Sequence, residues 1–194
     1  MPLILTLPRI HAPALPETGC WPVSDLDFLQ HAQWQSRAQA EQNEAWLQPI
    51  PYLLLRNASG HIWCYQRSGG DARLTGRCSC GVGGHVDLQD AQPNAAIDPL
   101  ATLRCALLRE VAEELGAGSA DLAQLSFQGL IFEGLSPIGR VHLGLLFTAH
   151  WLPDLPPRPV AGEALLGLGF RPASALANNA DFELWSQLAA RYLS

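Results

Sequence analysis

The segment from Asp98 to Gly116 carries clear signals for both ends of a helix. Aspartate is a preferred N-cap residue, and Pro99 behind it suits the first helical position, where no backbone N–H is needed. Gly116 lies where a glycine commonly ends a helix in the left-handed conformation. The sequence therefore predicts one long helix here, and the rest of the fold has to pack against it.

Three of the nine glutamates of the chain, Glu110, Glu113 and Glu114, lie in the last turns of this helix. At about 100° per residue they project within an arc of about 100°, beside the apolar side that Leu103 and Leu107 define. Like charges at these spacings repel each other, and they do so more strongly where water is excluded. A hard divalent cation with oxygen ligands would offset this repulsion. The alternative is the solvated acidic end of an ordinary surface helix.

A glycine-rich segment at residues 81–85 precedes the helix and can bring backbone carbonyl or N–H groups close to phosphate and metal. The chain has no lysine, and its 12 basic residues are all arginine. Lysine-based catalysis is therefore excluded, and a phosphate has to be held by arginine, backbone N–H groups or a metal. The formal charge of −6 argues against a general nucleic-acid binder.

Strand and helix patterns alternate along the rest of the chain, which predicts an α/β fold with helices packed around a mixed sheet. The individual predictions are an extended arm or edge strand over 1–23, a helix over 24–48, a hairpin over 52–67, two strands over 122–151, a last strand over 165–170 and a closing helix over 181–192.

The five cysteines are irregularly spaced and do not suit a disulfide framework. Cys78 and Cys80 lack the second matching pair of a closed zinc site, which favours structural thiols. The longest apolar run is shorter than the roughly 20 residues that span a bilayer. The amino end does not have the pattern of a secretory signal. We therefore expect a protein of the reducing cytoplasm that does not attach to a membrane.

Two segments resemble the Nudix box, G-x5-E-x7-R-E-U-x-E-E-x-G-U, in which U is a bulky aliphatic residue. Gly83 and Gly84 match its start, and residues 109–116, Arg-Glu-Val-Ala-Glu-Glu-Leu-Gly, match every specified position of its second half. The chain is thus similar to the Nudix hydrolases over roughly residues 50–190. The resemblance implies a Nudix-type α/β/α sandwich over 50–194, preceded by an amino-terminal arm and helical segment over 1–49.

The first half of the box departs from the family pattern. Eight residues before Arg109, where the family has glutamate, the chain has Ala101, and the stretch from Gly84 to Arg109 is about eleven residues longer than usual. We assign the extra length to residues 88–97. The loop resembles that of a less common subgroup with a Gly-Gly-His sequence and such an insertion. In the family the glutamate supports the metal helix and its loop, so Ala101 puts full catalytic strength in question.

The resemblance implies a hydrolase that uses Mg²⁺ or Mn²⁺ to cleave a pyrophosphate linkage in a nucleoside diphosphate derivative, a small nucleotide-type substrate, by attack of water on phosphorus. The implied metal ligands are the side chains of Glu110, Glu113 and Glu114 and the backbone carbonyl of Gly84. Arg109 would orient Glu110. The general base is left open among Glu110, Glu133 and Glu163. The candidate contacts to the substrate are His85, Arg67, Arg140 and His142, for which a purely structural role is the alternative.

Other interpretations remain open at this point. The same fold without turnover would be a nucleotide-binding or regulatory module, which Ala101 and the insertion favour. The isopentenyl diphosphate isomerases resemble Nudix proteins and use a cysteine near this loop, which would make Cys78 or Cys80 catalytic. The apolar amino-terminal segment could pair two copies as a homodimer. Four tryptophans could stack on a nucleobase or pack in the core, namely Trp34, Trp46, Trp63 and Trp151.

Overall fold

The computed structural model describes residues 2–69, 76–91 and 98–194, and within these ranges the chain forms nine strands and three α-helices. The strands are β1 (Leu3–Pro8), β2 (Thr18–Trp21), β3 (Gln33–Ser36), β4 (Trp46–Arg56), β5 (Ile62–Arg67), β6 (Cys78–Ser79), β7 (Leu122–Glu133), β8 (His142–Trp151) and β9 (Leu165–Arg171). The helices are α1 (Arg37–Ala40), α2 (Pro99–Leu115) and α3 (Leu184–Tyr192). Short 3-10 turns lie at Arg9–His11, Asp27–His31, Leu88–Asp90, Ser119–Asp121, Gly139–Val141 and Ala173–Ala175.

The strands form one mixed sheet with the order β2-β7-β8-β4-β1-β3, which β5 extends from β4 to β6 and β9. β4 and β8 are parallel, from Gln48 opposite His142 to Arg56 opposite His150. The predicted hairpin over 52–67 and the strand pair over 122–151 are confirmed, because β4 pairs antiparallel with β5 and β7 with β8. The predicted last strand and closing helix correspond to β9 and α3.

Strand β4 separates two cores, because successive side chains of a strand point to opposite faces of its sheet. Leu53 belongs to one core together with Leu103 of α2. Leu54 belongs to the other together with Leu188 of α3. Helices therefore cover both faces of the mixed sheet, and the predicted α/β/α sandwich is confirmed.

Helix α2 begins and ends where the sequence predicts. The side chain of Asp98 accepts a hydrogen bond from the backbone N–H of Ala101 at 3.0 Å, and Pro99 is the first helical residue. Gly116 ends the helix with a φ of 61°, a left-handed conformation that glycine adopts without strain. The caps therefore fix the ends of the helix that carries the glutamates.

The predicted helix over residues 24–48 is wrong. This stretch contains the 3-10 turn at Asp27–His31, strand β3 and the four-residue helix α1. β3 pairs with β1, where Trp34 lies opposite Leu5, so that strand pairing outweighs the local helical pattern. The expected amino-terminal arm contributes β1, which lies between β3 and β4 in the sheet. The division into 1–49 and 50–194 stays a prediction, and its boundary falls inside β4.

The five cysteines are free thiols, three of them buried. In the described ranges, no helix is both long enough and apolar enough to cross a lipid bilayer. Residues 92–97 of the insertion assigned to 88–97 lie outside the described residues.

Replacing Asp98 with alanine removes the acceptor for the Ala101 N–H and is expected to lower the free energy of unfolding by about 1 kcal/mol. Asp98→Ser retains a capping oxygen and is expected to stay within about 0.5 kcal/mol of the wild type. Urea denaturation followed by circular dichroism measures both. Equal losses in the two variants would contradict a capping role.

Candidate active site

Helix α2 presents the three glutamates to environments of different polarity. The side chain of Glu110 is 15% exposed and that of Glu113 is 55% exposed. Glu114 is half-buried, and one of its carboxylate oxygens, Oε2, is buried without a hydrogen-bond partner among the described residues. Two of the three acids thus lie at the edge of the core, as their position beside the apolar side of the helix predicts.

The glycine-rich loop lies directly against these acids. A Cβ atom on Gly84 would lie 2.5 Å from Oε1 of Glu110, and one on Gly83 would lie 1.9 Å from the carbonyl oxygen of Pro51. Only glycine leaves room for this approach. The backbone of Val82 exchanges two hydrogen bonds with Leu53 of β4, at 2.8 and 2.9 Å, which ties the loop to the sheet.

Arg109 joins the loop to the helix. Its Nε and Nη2 donate to the two carboxylate oxygens of Asp90 at 2.9 and 3.0 Å, and Nη2 also donates to the carbonyl oxygen of His85 at 2.9 Å. Nη1 donates to Glu110 at 2.8 Å and to Glu113 at 3.0 Å. Arg109 and Glu110 are therefore joined by a direct charge-assisted hydrogen bond. The role of Arg109 in orienting Glu110 for metal binding stays a prediction.

Asp90 corrects the sequence analysis of the first half of the box. Its carboxylate is 3% exposed and fully engaged with Arg109 and with the N–H of Asp87. Counted forwards from Gly84, a G-x5-acid spacing ends on Asp90, whereas counting backwards from Arg109 leads to Ala101. The extra residues therefore follow the acidic position, and the chain keeps a carboxylate there in the form of aspartate.

Arg67 and Glu163 approach Glu114 from two other elements. The backbone N–H of Val160 donates to the carbonyl oxygen of Glu114 at 2.8 Å, and the N–H of Glu163 donates back to Val160 at 3.0 Å. At the end of β5, the N–H of Ser68 donates to the carbonyl oxygen of Ala164 at 2.8 Å. The proline-rich connector thus brings Glu163 beside Glu114, next to the end of the strand that carries Arg67.

Burial raises the pKa of Glu114 to about 8; nearby Arg67 lowers it, and the negative charges of Glu110 and Glu163 raise it further. Burial also raises the pKa of Glu110, against the effect of Arg109. Without a cation, Glu114 is therefore largely protonated at neutral pH. Nε of Arg67 is buried without a hydrogen-bond partner among the described residues, while Nη2 donates to the hydroxyl of Tyr65 at 3.1 Å.

A buried polar network that the sequence does not predict also contacts the loop. The Tyr65 hydroxyl donates to the carbonyl oxygen of Gly81 at 2.6 Å. Oε1 of Glu183, the residue before α3, accepts hydrogen bonds from the hydroxyls of Tyr52, at 2.9 Å, and Ser79, at 2.5 Å. No sequence motif marks Glu183, since Tyr52 and Ser79 come from two distant segments, β4 and β6.

The two candidate histidines contact each other beneath the loop. Nε2 of His85 lies 2.7 Å from Oε1 of Gln48 and 3.3 Å from Nε2 of His142, whose Nδ1 lies 2.6 Å from the carbonyl oxygen of Ile138. Burial lowers the pKa of His85 to about 3, and the nearby charges of Arg37 and His142 lower it as well. His85 is therefore neutral at physiological pH, and these contacts fix the loop.

Glu133 and Arg140 have their observed contacts around the turn between β7 and β8. Oε2 of Glu133 accepts hydrogen bonds from the N–H groups of Leu135 and Ser136, both at 3.0 Å. Arg140 donates to Glu44 at 2.7 Å. None of the contacts seen among the described residues joins either side chain to the glutamates of α2. Their catalytic and substrate-binding roles stay predictions.

The donor set fits a hard divalent cation, because carboxylate oxygens are the preferred ligands of Mg²⁺ and Mn²⁺. Oε2 of Glu114 is buried and unsatisfied, as expected of a ligand atom. Among the described residues, no group of three or more His, Cys, Asp or Glu side chains is arranged so that it could hold a metal ion by itself. Mg²⁺ usually keeps waters and takes substrate phosphate oxygens in addition to one or two carboxylates, so a closed protein cage is not required.

Comparison with known proteins finds one curated relative and several solved structures of similar fold. No family model matches it. Protein YmaB of Bacillus subtilis (strain 168) is 30% identical over 119 residues, which are 60% of this chain. The chain covers 55%, about half, of the length of that curated relative.

Two solved structures share the fold. The crystal structure of Tm1382, proposed to be a Nudix hydrolase, superposes with a TM-score of 0.76 and 25% identity, over 98% of this chain and 97% of that one. The Nudix domain of NrtR from Shewanella oneidensis, solved with ADP ribose, superposes with a TM-score of 0.50 and 14% identity, over 81% of this chain and 97% of that one. At that identity the second match shows the fold alone.

Replacing Asp90 with alanine leaves Arg109 without its bidentate partner and is expected to lower the free energy of unfolding by about 3 kcal/mol. Ala101→Glu alone is expected to change it by less than about 0.5 kcal/mol, and it is not expected to rescue Asp90→Ala. Urea denaturation of the two single variants and the double variant measures this. Rescue by glutamate at position 101 would show that the acidic position lies there.

The low pKa of His85 makes folding sensitive to acid. Below its ordinary pKa of about 6.5 the unfolded chain binds a proton at this imidazole, whereas the folded protein does not bind it until about pH 3. Stability from this residue is therefore complete above pH 6.5 and is lost as the pH falls towards 3. His85→Gln is expected to flatten the pH dependence of the unfolding free energy in this window, and half-buried His61→Gln is the control.

Proposed function

The chain belongs to the Nudix superfamily, and on that basis we propose that it is a divalent-metal-dependent hydrolase that cleaves a pyrophosphate linkage in a nucleoside diphosphate derivative. The fold it shares with Nudix hydrolases supports pyrophosphate cleavage in general. The metal, the nucleotide substrate and the residue roles are our proposals. Pairing of two copies as a homodimer stays a prediction.

One observation carries this proposal more than any other. Oε2 of Glu114 and Nε of Arg67 are both buried, oppositely charged when ionised, and without hydrogen-bond partners among the described residues. An unsatisfied buried polar atom is costly, so such atoms are usually paired with a ligand or ion. A cation on the carboxylate and a phosphate oxygen on the guanidinium would satisfy both. A metal-bound pyrophosphate supplies both groups together.

Glu110, Glu113 and Glu114 would hold the cation, with the carbonyl of Gly84 as a further ligand. When bound, a divalent cation neutralises charge on the pyrophosphate oxygens and lowers the pKa of a coordinated water. Arg109 keeps the carboxylates of Glu110 and Glu113 oriented by donating to both. The loss of a proton from Glu114 would accompany metal binding, since its pKa of about 8 describes the free carboxyl group.

Glu163 is our preferred general base, because the connector holds it beside Glu114 and outside the helix that binds the metal. It would take a proton from the attacking water as the water oxygen bonds to phosphorus. The phosphorus–oxygen bond of the anhydride then breaks, and two phosphate-bearing products leave. Glu110 and Glu133 are the alternatives. The oxygens of Glu133 already accept hydrogen bonds from its own turn.

Arg67 would bind a phosphate oxygen through its unsatisfied Nε. His85, His142 and Arg140 are weaker candidates for substrate contact, since each is engaged with other protein groups. His85 and His142 would act by fixing the Gly84 loop.

The alternatives receive less support. Burial raises the pKa of the Cys80 thiol well above its usual range, and burial also raises that of Cys78. A catalytic cysteine needs an accessible thiolate, so isomerase chemistry is disfavoured. The argument for a non-catalytic module depended on Ala101 and on the insertion, and Asp90 supplies the carboxylate that Ala101 lacks.

The proposal is tested by a hydrolysis screen with Mg²⁺ or Mn²⁺ over nucleoside diphosphate sugars, dinucleoside polyphosphates, NADH, coenzyme A and oxidised nucleoside triphosphates. Glu113→Gln and Glu114→Gln are expected to weaken Mn²⁺ binding and to lower turnover by orders of magnitude, with exposed Glu17→Gln as the matched control. Wild-type turnover in both variants would refute the assigned ligands. Glu163→Gln is expected to lower kcat about 100-fold or more while the Mn²⁺ affinity is retained. Glu133→Gln is expected to leave kcat unchanged.

A further inference from the structure

Tyr65 lies in β5, and its side chain is fully buried. A buried tyrosine usually finds a hydrogen-bond partner for its hydroxyl. The hydroxyl of Tyr65 has two partners, because it donates to the carbonyl oxygen of Gly81 at 2.6 Å and accepts from Nη2 of Arg67 at 3.1 Å. One oxygen atom therefore joins the glycine-rich loop to the guanidinium group that is proposed to bind phosphate.

The direction of both hydrogen bonds follows from the chemistry of the groups. A guanidinium group can only donate and a carbonyl oxygen can only accept, whereas a phenol hydroxyl has one proton to donate and lone pairs that accept. The proton of Tyr65 therefore points to Gly81, and a lone pair faces Arg67. Because phenylalanine has no hydroxyl, Tyr65→Phe removes both hydrogen bonds and keeps the aromatic ring.

The ring of Tyr65 also contacts Arg67. Both side chains lie on the same face of β5, because alternate residues of a strand point to the same side. The guanidinium carbon lies over the Tyr65 ring, 5.5 Å from its centre, and a cation in this position is attracted to the ring. The guanidinium group is planar, so that contacts to Nη2 and to the ring limit its rotation and fix the direction of its Nε–H. Nε is the atom that is buried without a hydrogen-bond partner among the described residues.

Gly81 is fixed from two further sides, so that it offers Tyr65 an acceptor in a constant position. Its N–H donates to the hydroxyl oxygen of Ser79 at 3.3 Å, and that hydroxyl donates to Oε1 of Glu183 at 2.5 Å. A Cβ atom on Gly81 would lie 2.0 Å from Cζ of Tyr52, so the ring of Tyr52 packs directly on the backbone of the loop. The hydrogen bonds thus run without a break from Glu183 to the guanidinium group.

We propose that Tyr65 is a positioning residue, which holds the guanidinium group of Arg67 so that its Nε–H faces the phosphate of a ligand beside Glu114. This role rests on the proposed function, which supplies the phosphate. A group that is already held in its bound orientation loses less conformational entropy when the ligand binds. Tyr65 thus raises the affinity for phosphate without touching it.

A double-mutant cycle tests this role. The probe is imidodiphosphate, a pyrophosphate analogue whose bridging nitrogen resists hydrolysis, and its binding is measured by calorimetry with Mg²⁺. Arg67→Met is expected to weaken binding by about 10- to 100-fold, because a charge-assisted hydrogen bond is lost. Tyr65→Phe is expected to weaken it by about 10-fold in the wild-type chain, and by less than about 2-fold in the Arg67→Met chain. A residue that only supports the fold would weaken binding equally in both chains.

Tyr192→Phe is the matched control. The hydroxyl of Tyr192, at the end of α3, also donates to a backbone carbonyl oxygen, that of Gln128, at 2.9 Å. This variant is expected to leave the affinity for imidodiphosphate unchanged. Circular dichroism during urea denaturation shows whether each variant is folded.

Equal losses from Tyr65→Phe in both chains would overturn the proposal. Unchanged binding in folded Tyr65→Phe, or a wild type that does not bind imidodiphosphate, would overturn it as well. If Tyr65→Phe does not fold, Ser79→Ala takes its place in the cycle, because it removes the acceptor of the Gly81 N–H and so loosens the carbonyl group that Tyr65 contacts. A loss of about 2-fold or more that disappears in the Arg67→Met chain is then expected, and an equal loss in both chains contradicts the role of Tyr65.

The measurement requires no turnover, so that the role of Tyr65 and the hydrolase activity can fail separately. A loss that depends on Arg67, in a protein that hydrolyses none of the screened substrates, would uphold the role of Tyr65 and refute the hydrolase. Hydrolysis of a substrate, together with equal losses in both chains, would refute the role of Tyr65 alone.

Discussion

The buried ion pair between Asp90 and Arg109 is the interaction on which the arrangement of the site depends. One guanidinium group holds the loop through Asp90 and the carbonyl of His85, and it holds the helix through Glu110 and Glu113. Without it, the carboxylates of Asp90, Glu110 and Glu113 would lose the guanidinium group that now donates to all three. The main effect of the pair is to position the loop against the helix, because buried ion pairs add little net stability over apolar residues of similar size.

The fold was most predictable where local chemistry decides the structure. The cap at Asp98 and the glycine at Gly116 defined α2 because helix ends depend on the residues at those ends. Residues 24–48 failed because their conformation depends on β1, which pairs with β3 and lies more than twenty residues away. A helical pattern within one segment contains no information about a partner strand elsewhere in the chain.

The candidate site was predictable in its residue types and less so in its connections. The glutamates and Arg109 follow from their spacing on one helix. Asp90 could have been predicted from the sequence, because its distance from Gly84 matches the spacing of the Nudix box. A count made backwards from Arg109 misses it, because the extra residues lie between the two. Arg67 and Glu183 needed the structure. Their places beside the loop come from strand and helix packing between distant segments, and no local pattern encodes that packing.

The position of the extra residues has an evolutionary consequence. Asp90 and Asp98 bound a segment whose two ends are fixed, the first by Arg109 and the second by the start of α2. Closing a longer chain between fixed points costs only about 0.6 kcal/mol per doubling of length. The length and sequence of this stretch can therefore change during evolution while Asp90 keeps its contact with Arg109 and Asp98 keeps its place at the start of α2. The fold thereby separates the part that can diversify from the part that has to remain constant.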